Sequence, residues 1–178
     1  MTEIGEREPV DLSELWEKEY PDFSIWFAEN IGYLSEALGI TLTITHDPKL
    51  GGAVYREPFY IDILATDDDG NTVIVENKFG ETDHKHLGQV ITYLTHLNAK
   101  RAIWVVERAR PEHKKAINWL NEVTPEDTKF YLVTLQAHRI GDSPPALAFE
   151  VESGPSEEAE AWVRKEFFLD SGVKQSQY

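Results

Sequence analysis

The chain has 178 residues, of which 41% are hydrophobic and 11% aromatic, so it carries enough apolar material for one folded domain with a core. It contains no cysteine, which excludes disulfides, thiol nucleophiles and thiolate metal sites. The N-terminus is acidic and polar, unlike a signal peptide, and no stretch approaches the roughly 20 apolar residues that span a bilayer. We therefore expect a soluble, cytoplasmic protein with no membrane partner.

The first half of the chain predicts helices followed by strands. The predicted elements are a helix over residues 11–20, a helix over 22–38, a strand over 40–45, a loop over 46–57 and an apolar strand over 59–65. Asp11 or Ser13 is expected to cap the first helix, and Gly39 is expected to end the second. Residues 67–71, Asp-Asp-Asp-Gly-Asn, then predict a tight hairpin.

The second half alternates between strands and helices. Its predicted elements are a strand over residues 72–78, a helix over 84–98 introduced by Asp83, a buried strand over 101–107, a helix from Pro111 with Ile117, Trp119 and Leu120 facing inward, strands over 129–135 and 146–151, and a helix over 155–168. This order indicates a mixed α/β layer architecture.

The formal net charge of −15 argues against a simple nucleic-acid-binding surface, because phosphates favour lysine and arginine. The charge is unevenly distributed: between Lys78 and Lys115 there are eight basic and four acidic residues. Two interpretations remain open. The segment faces a phosphate backbone, or its basic residues are solvated helix and loop faces.

Asp62 lies inside the apolar run over residues 59–65, and Glu76 and Lys78 follow the next apolar run. A buried carboxylate is costly unless it is paired or binds a metal, and residues i and i+2 of a strand share a face. If the two runs pair, two carboxylates can hold a hard divalent cation, and the lysine can position or deprotonate a water. This combination predicts metal-dependent hydrolysis of a phosphodiester. The alternative is that Asp62 caps a turn or pairs with Lys78.

The acid on one strand followed by Glu76-Asn77-Lys78 on the next resembles the motif of the PD-(D/E)XK nuclease superfamily, which has the restriction-endonuclease-like fold. The usual proline before the aspartate is absent, and Ile61 stands there. The resemblance covers about residues 22–108.

Residues 88–94, Gly-Gln-Val-Ile-Thr-Tyr-Leu, are similar to the glutamine-and-tyrosine helix motif of the RecB-like branch of that superfamily. Residues 82–88 and 139–143 are similar to segments of uncharacterised prokaryotic nuclease-like proteins of the branch. In that group the lysine is often replaced by glutamine, whereas Lys78 is present here.

The resemblance implies an αβββαβ core with added C-terminal strands and a C-terminal helix. We expect a single domain over residues 1–178, with its core over about 22–135 and an extension over 136–178.

The resemblance also implies roles for individual residues. Asp62 and Glu76 would bind Mg²⁺ or Mn²⁺, with the backbone carbonyl of Asn77 as a further ligand. Lys78 would orient the attacking water and stabilise charge on the phosphate, and Gln89 would reach back towards the metal site or the nucleic-acid backbone. The alternative is that Gln89 is a solvated helix residue.

Glu36 is a candidate for the acidic residue that many members carry on the first helix. Glu29 is an alternative, and plain surface charge on an amphipathic helix is the third interpretation.

Nucleic acid is the expected partner, with DNA as the expected substrate of a Mg²⁺-dependent nuclease. The candidate substrate contacts are His84, Lys85, Tyr93 and Lys114. Asp83, His84 and His86 do not have the spacing of a zinc site, so Asp83 is expected to cap a helix or contact phosphate. The rival hypothesis is a non-catalytic nuclease-like module that binds nucleic acid or a protein, and either form is compatible with a homodimer.

Overall fold

The computed structural model describes residues 4–45, 54–56 and 59–155, which form a mixed α/β fold. A π-type turn over Glu19–Phe23 precedes the second helix. The elements, in chain order, are β1 (Arg7–Val10), α1 (Leu12–Leu15), α2 (Ser24–Glu29), α3 (Gly32–Leu38), β2 (Thr43–Ile44), β3 (Val54–Arg56), β4 (Phe59–Ile61), β5 (Ile63–Thr66), β6 (Thr72–Glu81), α4 (His84–His96), β7 (Arg101–Arg108), α5 (Pro111–Val123), β8 (Lys129–Ile140) and β9 (Ala146–Ser153).

Seven of the described strands form one mixed sheet in the order β1-β8-β7-β6-β5-β2, with β9 also paired to β8. The pairs β6–β7 and β7–β8 are parallel, because α4 and α5 connect them as crossover helices, and the other pairs are antiparallel. Strands β3 and β4 form a separate two-stranded sheet. The described chain therefore contains the expected α-β-β-β-α-β order in α2/α3, β2, β5, β6, α4 and β7.

The large sheet has an apolar core on each face. Alternate residues of β6 point to opposite faces, so Val73 and Val75 join the core beneath α2 and α3, while Ile74 joins the core beneath α4 and α5. Phe27 packs into the first core and Ile117 into the second, and both side chains are fully buried. Burial on both faces fixes the register of the central strands, because a shift of one residue would exchange the two faces.

Several local predictions are confirmed. The side chain of Asp11 accepts the backbone N–H of Ser13 at 2.9 Å at the start of α1, and Gly39 ends α3 in the left-handed region with φ of 68°. The hairpin over residues 67–71 is present, with Gly70 at φ of 78°. Asp83 caps α4 by accepting the backbone N–H of His86 at 2.7 Å.

The predicted helix over residues 22–38 is wrong in its continuity, because the structure divides it into α2 and α3. Asn30 lies at the break, and its side chain donates to the carbonyl of Trp26 at 2.8 Å. Such a local bond gives the backbone an alternative to the helical pattern.

The predicted strand over residues 40–45 is reduced to β2. The backbone N–H groups of Thr41 and Leu42 donate to the side chains of Asp68 and Ser35 instead of to a neighbouring strand. The predicted strand over 59–65 is interrupted at Asp62, which separates β4 from β5.

Two further expectations need correction, and one strand was not predicted. Trp119 was expected to face inward but is 59% exposed, because the buried face of α5 runs through His113, Ile117 and Leu120. Residues 54–56, expected in a loop, form β3, and the sequence did not predict β1.

The rest of the predicted loop over 46–57, at 46–53 and 57, and the predicted C-terminal helix beyond residue 155 lie outside the described residues. No helix in the described part of the chain is long and apolar enough to cross a membrane.

Candidate active site

The site begins where β5 stops pairing with β6. The last pair toward this end is Ile63 with Val75, so the next residue of β6 that points to the same edge, Asn77, has no strand partner there. Asp62 replaces the missing strand: its Oδ2 accepts the backbone N–H of Asn77 at 2.9 Å. The bend at Asp62 thus places a carboxylate at the end of the sheet, beside the segment that carries Glu76 and Lys78.

Glu76 faces the layer that contains α4. Its neighbour Ile74 belongs to the core beneath α4 and α5, and the two-residue period of a strand puts Glu76 and Lys78 on the same face. Glu76 is only 3% exposed, and its Oε1 is buried without a hydrogen-bond partner in the described part of the chain. A buried acceptor without a partner is costly, which is typical of a site that binds a ligand or an ion.

The carboxyl groups of Asp62 and Glu76 perturb each other. Burial raises the pKa of Asp62 to about 7, against the lowering effect of the bond from Asn77. Burial, and then the charge of Asp62, raise the pKa of Glu76 well above its ordinary value. Two carboxyl groups that resist ionisation together form an environment that a cation would stabilise.

A third carboxylate, Glu19, acts on this pair. Its charge contributes to the raised pKa of both Asp62 and Glu76. Its Oε2 accepts the backbone N–H of Phe79, the next residue of β6 after Asn77 that points to the open edge. Asp62 and Glu19 therefore satisfy consecutive edge positions of β6 that β5 leaves unpaired.

The position of Glu19 is fixed through the side chain of Ser24. The hydroxyl of Ser24 donates to the backbone carbonyl of Glu19 at 3.0 Å and accepts from Nδ2 of Asn77 at 3.2 Å. Glu19 was not predicted as a site residue, because the sequence indicated a helix over residues 11–20; that prediction is wrong in its extent, since α1 ends at Leu15. No pattern in the sequence signals the contact, since it joins residues 60 positions apart.

Glu36, the sequence candidate for a first-helix acid, is exposed on α3. The structure brings Glu19 to the carboxylate pair in its place.

Lys78 turns toward the start of α4. Its Nζ donates to the backbone carbonyl of Glu81 at 2.7 Å and lies 3.2 Å from Oδ2 of Asp83. This contact over three residues is possible because the register of β6 shifts between Lys78 and Glu81, where Gly80 has φ of 85°. The lysine is thus held at the same end of the sheet as the carboxylates.

Asp83 joins Lys78 to α4. Burial alone would raise the pKa of Asp83, but hydrogen bonds from the backbone and ring of His86 and from Lys78 hold it well below its usual range. Its carboxylate therefore stays ionised at neutral pH.

Gln89 and Tyr93 lie one turn apart on α4, where Nε2 of Gln89 donates to the Tyr93 hydroxyl at 3.0 Å. Oε1 of Gln89 is buried and has no hydrogen-bond partner among the described residues. Gln89 and Glu76 therefore both present an unsatisfied oxygen in the buried part of this face. Tyr93 is 6% exposed and packs in the core beneath α4, so its hydroxyl holds the side chain of Gln89 in position.

The remaining candidate contacts fall into different environments. Nδ1 of His84 lies 2.8 Å from Nε2 of the buried His113, whose Nδ1 lies 2.7 Å from the Thr82 hydroxyl. Lys85 is exposed at the start of α4, whereas Lys114 pairs with Glu152 of β9. Lys85 is therefore the candidate cation of this set that faces solvent at the helix start.

The donor set suits a cation held by few protein ligands. Among the described residues, no group of three or more histidine, aspartate or glutamate side chains is arranged to hold a metal ion. Asp62, Glu76 and the carbonyl of Asn77, which points to the same edge as its N–H, remain as two carboxylates and one backbone oxygen. Mg²⁺ is commonly held by one or two carboxylates together with water and substrate oxygens, so this set fits it.

Comparison with known proteins leaves the chain without a family assignment. No family model matches it, and no curated protein matches it. A repair endonuclease from Pyrococcus abyssi superposes over 61% of this chain at 19% identity and a TM-score of 0.45, and the chain spans 45% of that protein's length. A protein of unknown function from Silicibacter pomeroyi superposes over 80% of this chain and 89% of its own length, at 12% identity and a TM-score of 0.29. Similarities this low do not support an assignment.

Proposed function

We propose that this protein is a divalent-metal-dependent nuclease that hydrolyses phosphodiester bonds, with DNA as the expected substrate. One observation carries the proposal: Asp62 and the buried Glu76, two carboxyl groups with raised pKa values, lie at one end of the central sheet, and Lys78 follows Glu76 on the same face of β6. Structural carboxylates are normally paired with cations, whereas these two oppose each other's ionisation. Such a pair is typical of a functional site.

Asp62, Glu76 and the carbonyl of Asn77 would hold Mg²⁺ or Mn²⁺. A bound divalent cation supplies Lewis-acid polarisation of the phosphate and eases the formation of a nucleophile from water. The protein's own contribution is positional. The bond from Asn77 fixes Asp62, and the burial of Glu76 keeps bulk water away from that carboxylate.

Lys78 is placed to stabilise negative charge that develops on the phosphate. An ammonium has three N–H donors, and two of them are directed to Glu81 and Asp83. The third is available for a phosphate oxygen or a water. The exposed Lys85, next along the chain at the start of α4, supplies further positive charge for a phosphate backbone.

A cleavage assay tests the proposal. Labelled single-stranded, duplex and flap DNA, and RNA, are incubated with Mg²⁺ or Mn²⁺ and the wild type, Asp62→Ala or Lys78→Ala. Lys100→Ala is the matched control, because Lys100 pairs with Asp127 away from the site. We expect cleavage by the wild type and the control, and a loss of at least about 100-fold in both site variants.

The rival hypothesis is separated by the same experiment. Absence of cleavage on every substrate, together with absence of divalent-cation binding by calorimetry, would favour a non-catalytic module that binds nucleic acid or a protein. Cleavage that survives Asp62→Ala and Lys78→Ala would place the chemistry elsewhere on the molecule.

A further inference from the structure

The carboxylate of Asp83 holds a histidine as well as a lysine. Its Oδ1 lies 2.9 Å from Nδ1 of His86 and its Oδ2 lies 3.0 Å from the same nitrogen, while Oδ2 also lies 3.2 Å from Nζ of Lys78. The backbone N–H of His86 donates to Oδ1 at 2.7 Å, which fixes the carboxylate at the start of α4. The ring of His86 and the ammonium of Lys78 are therefore neighbours on a single anchor.

The contact with Asp83 sets the tautomer of His86. An ionised carboxylate only accepts hydrogen bonds, so Nδ1 of His86 carries the hydrogen and Nε2 of the neutral ring carries a lone pair. In the part of the chain that the structure describes, Nε2 has no hydrogen-bond partner. The side chain is 20% exposed, so a water or a substrate oxygen can reach it.

Lys78 and His86 offer complementary groups. Lys78 presents an N–H donor, since its other donors are directed to Glu81 and Asp83, and His86 presents an acceptor. Lys78 shares the face of β6 that carries Glu76. A water bound between the donor and the acceptor would lie at the same end of the sheet as the carboxylate pair.

We propose that His86 is the base that takes a proton from the attacking water, and that Asp83 is the residue that positions it. This inference rests on the proposed nuclease function and assigns a base to it. Nε2 takes one proton as the water oxygen bonds to phosphorus. The bond from phosphorus to the leaving oxygen breaks with its electron pair, and that oxygen takes a proton from solvent. The imidazolium then returns its proton to solvent, which completes the addition of one water.

The charged surroundings of His86 come from two elements. Asp83, in the turn before α4, contacts the ring directly, and Lys78, from β6, acts through the same carboxylate. Glu81, between these elements, has its carboxylate paired with Arg108.

The test compares pH–rate profiles of the full-length wild type, His86→Gln, Asp83→Asn and His96→Gln on the preferred substrate. Glutamine keeps a polar side chain but accepts no proton, asparagine keeps the helix cap, and His96 lies at the other end of α4, roughly 15 Å away along the axis. Profiles are recorded at two Mg²⁺ concentrations. If the rise of the rate with pH is caused by ionisation of metal ligands, its midpoint shifts with Mg²⁺ concentration. If this rising limb is caused by His86, its midpoint does not shift.

We expect His86→Gln to lower the rate by about 10²- to 10⁴-fold and to abolish the Mg²⁺-independent limb on which activity rises with pH. Added imidazole should restore part of the rate in His86→Ala, while His96→Gln keeps the wild-type profile. Asp83→Asn should lower the rate and keep the limb. Loss of activity in Asp62→Ala, with wild-type rate and limb in His86→Gln, would overturn the role of His86 and leave the nuclease proposal standing. A wild type that cleaves nothing would overturn both.

Discussion

Replacement of Asp62 by asparagine is expected to stabilise the metal-free protein, and to do so increasingly as the pH rises. Burial raises the pKa of Asp62 from an ordinary 3.8 to about 7, so the folded protein keeps this proton over a pH range in which the unfolded chain has lost it. The unfolded state then binds fewer protons than the folded state, and the free energy of unfolding falls as the pH rises through this range. Asparagine carries no ionisable proton and can still accept the backbone N–H of Asn77.

The magnitude follows from the two pKa values. Relative to a group that does not titrate, Asp62 costs the folded state about 2 kcal/mol at pH 5 and about 4 kcal/mol at pH 8.5. The advantage of Asp62→Asn over the wild type should therefore grow by about 2 to 3 kcal/mol between these pH values. Saturating Mg²⁺ should restore stability to the wild type at pH 8.5 and have little effect on the variant, because only the wild type keeps both carboxylates.

The assay is urea unfolding in the presence of a chelator at pH 5 and pH 8.5. Asp142→Asn, in an exposed turn, is the matched control, and its unfolding should follow the pH dependence of the wild type. Parallel pH dependence of the wild type and Asp62→Asn would refute the reasoning, as would a variant that is less stable than the wild type at pH 8.5.

Three further outcomes are expected. Lys78→Met should abolish cleavage by the proposed nuclease with only a small loss of thermal stability, because it removes partly exposed contacts with Glu81 and Asp83. A variant that cleaves at the wild-type rate would remove Lys78 from the mechanism. Gly70→Ala should lower the free energy of unfolding in urea by about 1 kcal/mol, because Gly70 has φ of 78°. Gly88→Ala should raise it by up to about 1 kcal/mol, because Gly88 lies inside α4 with open space around it. Equal effects of the two substitutions would contradict this expectation. Asp67→Ala should cost about 3 to 5 kcal/mol, because it removes the largely buried carboxylate that accepts from Arg101 at 2.9 Å; a cost below about 1 kcal/mol would contradict this.

Elements with strong local signals were predictable from the sequence. The hairpin at residues 67–71 has the Asp-Gly-Asn turn residues, and α4 has its Asp83 cap and an apolar face that includes Val90 and Leu94. Buried strands such as β7 also follow from their apolar runs. In each case the information lies within a few neighbouring residues, so no distant contact was needed.

Other elements depend on contacts between distant residues. The predicted strand over residues 40–45 is shortened because Asp68 and Ser35 accept the backbone N–H groups of Thr41 and Leu42. Strand propensity does not predict these hydrogen bonds. Trp119 was predicted to face inward because it is hydrophobic. Its position on α5, however, lies off the buried face of that helix.

The candidate site also combines features that the sequence predicts with features that depend on distant contacts. Glu76 and Lys78 could be placed on one face from the strand period, and Asp62 could be singled out as a carboxylate in an apolar run. The chemical environment of these three residues could not be predicted, because it depends on where β5 ends and on the contact that Glu19 makes from a turn before α2. The pairing of Lys78 with Asp83 depends on the register shift in β6, and no sequence pattern predicts this shift.

Calorimetric titration with Mn²⁺ at pH 7.5 tests most directly whether Asp62 and Glu76 form a divalent-cation site. The wild type, Glu76→Gln and the Asp142→Asn control would be titrated side by side. We predict binding of Mn²⁺ by the wild type and the control, and its loss in Glu76→Gln. Absence of binding by the wild type at millimolar Mn²⁺, or equal binding by Glu76→Gln, would contradict the account.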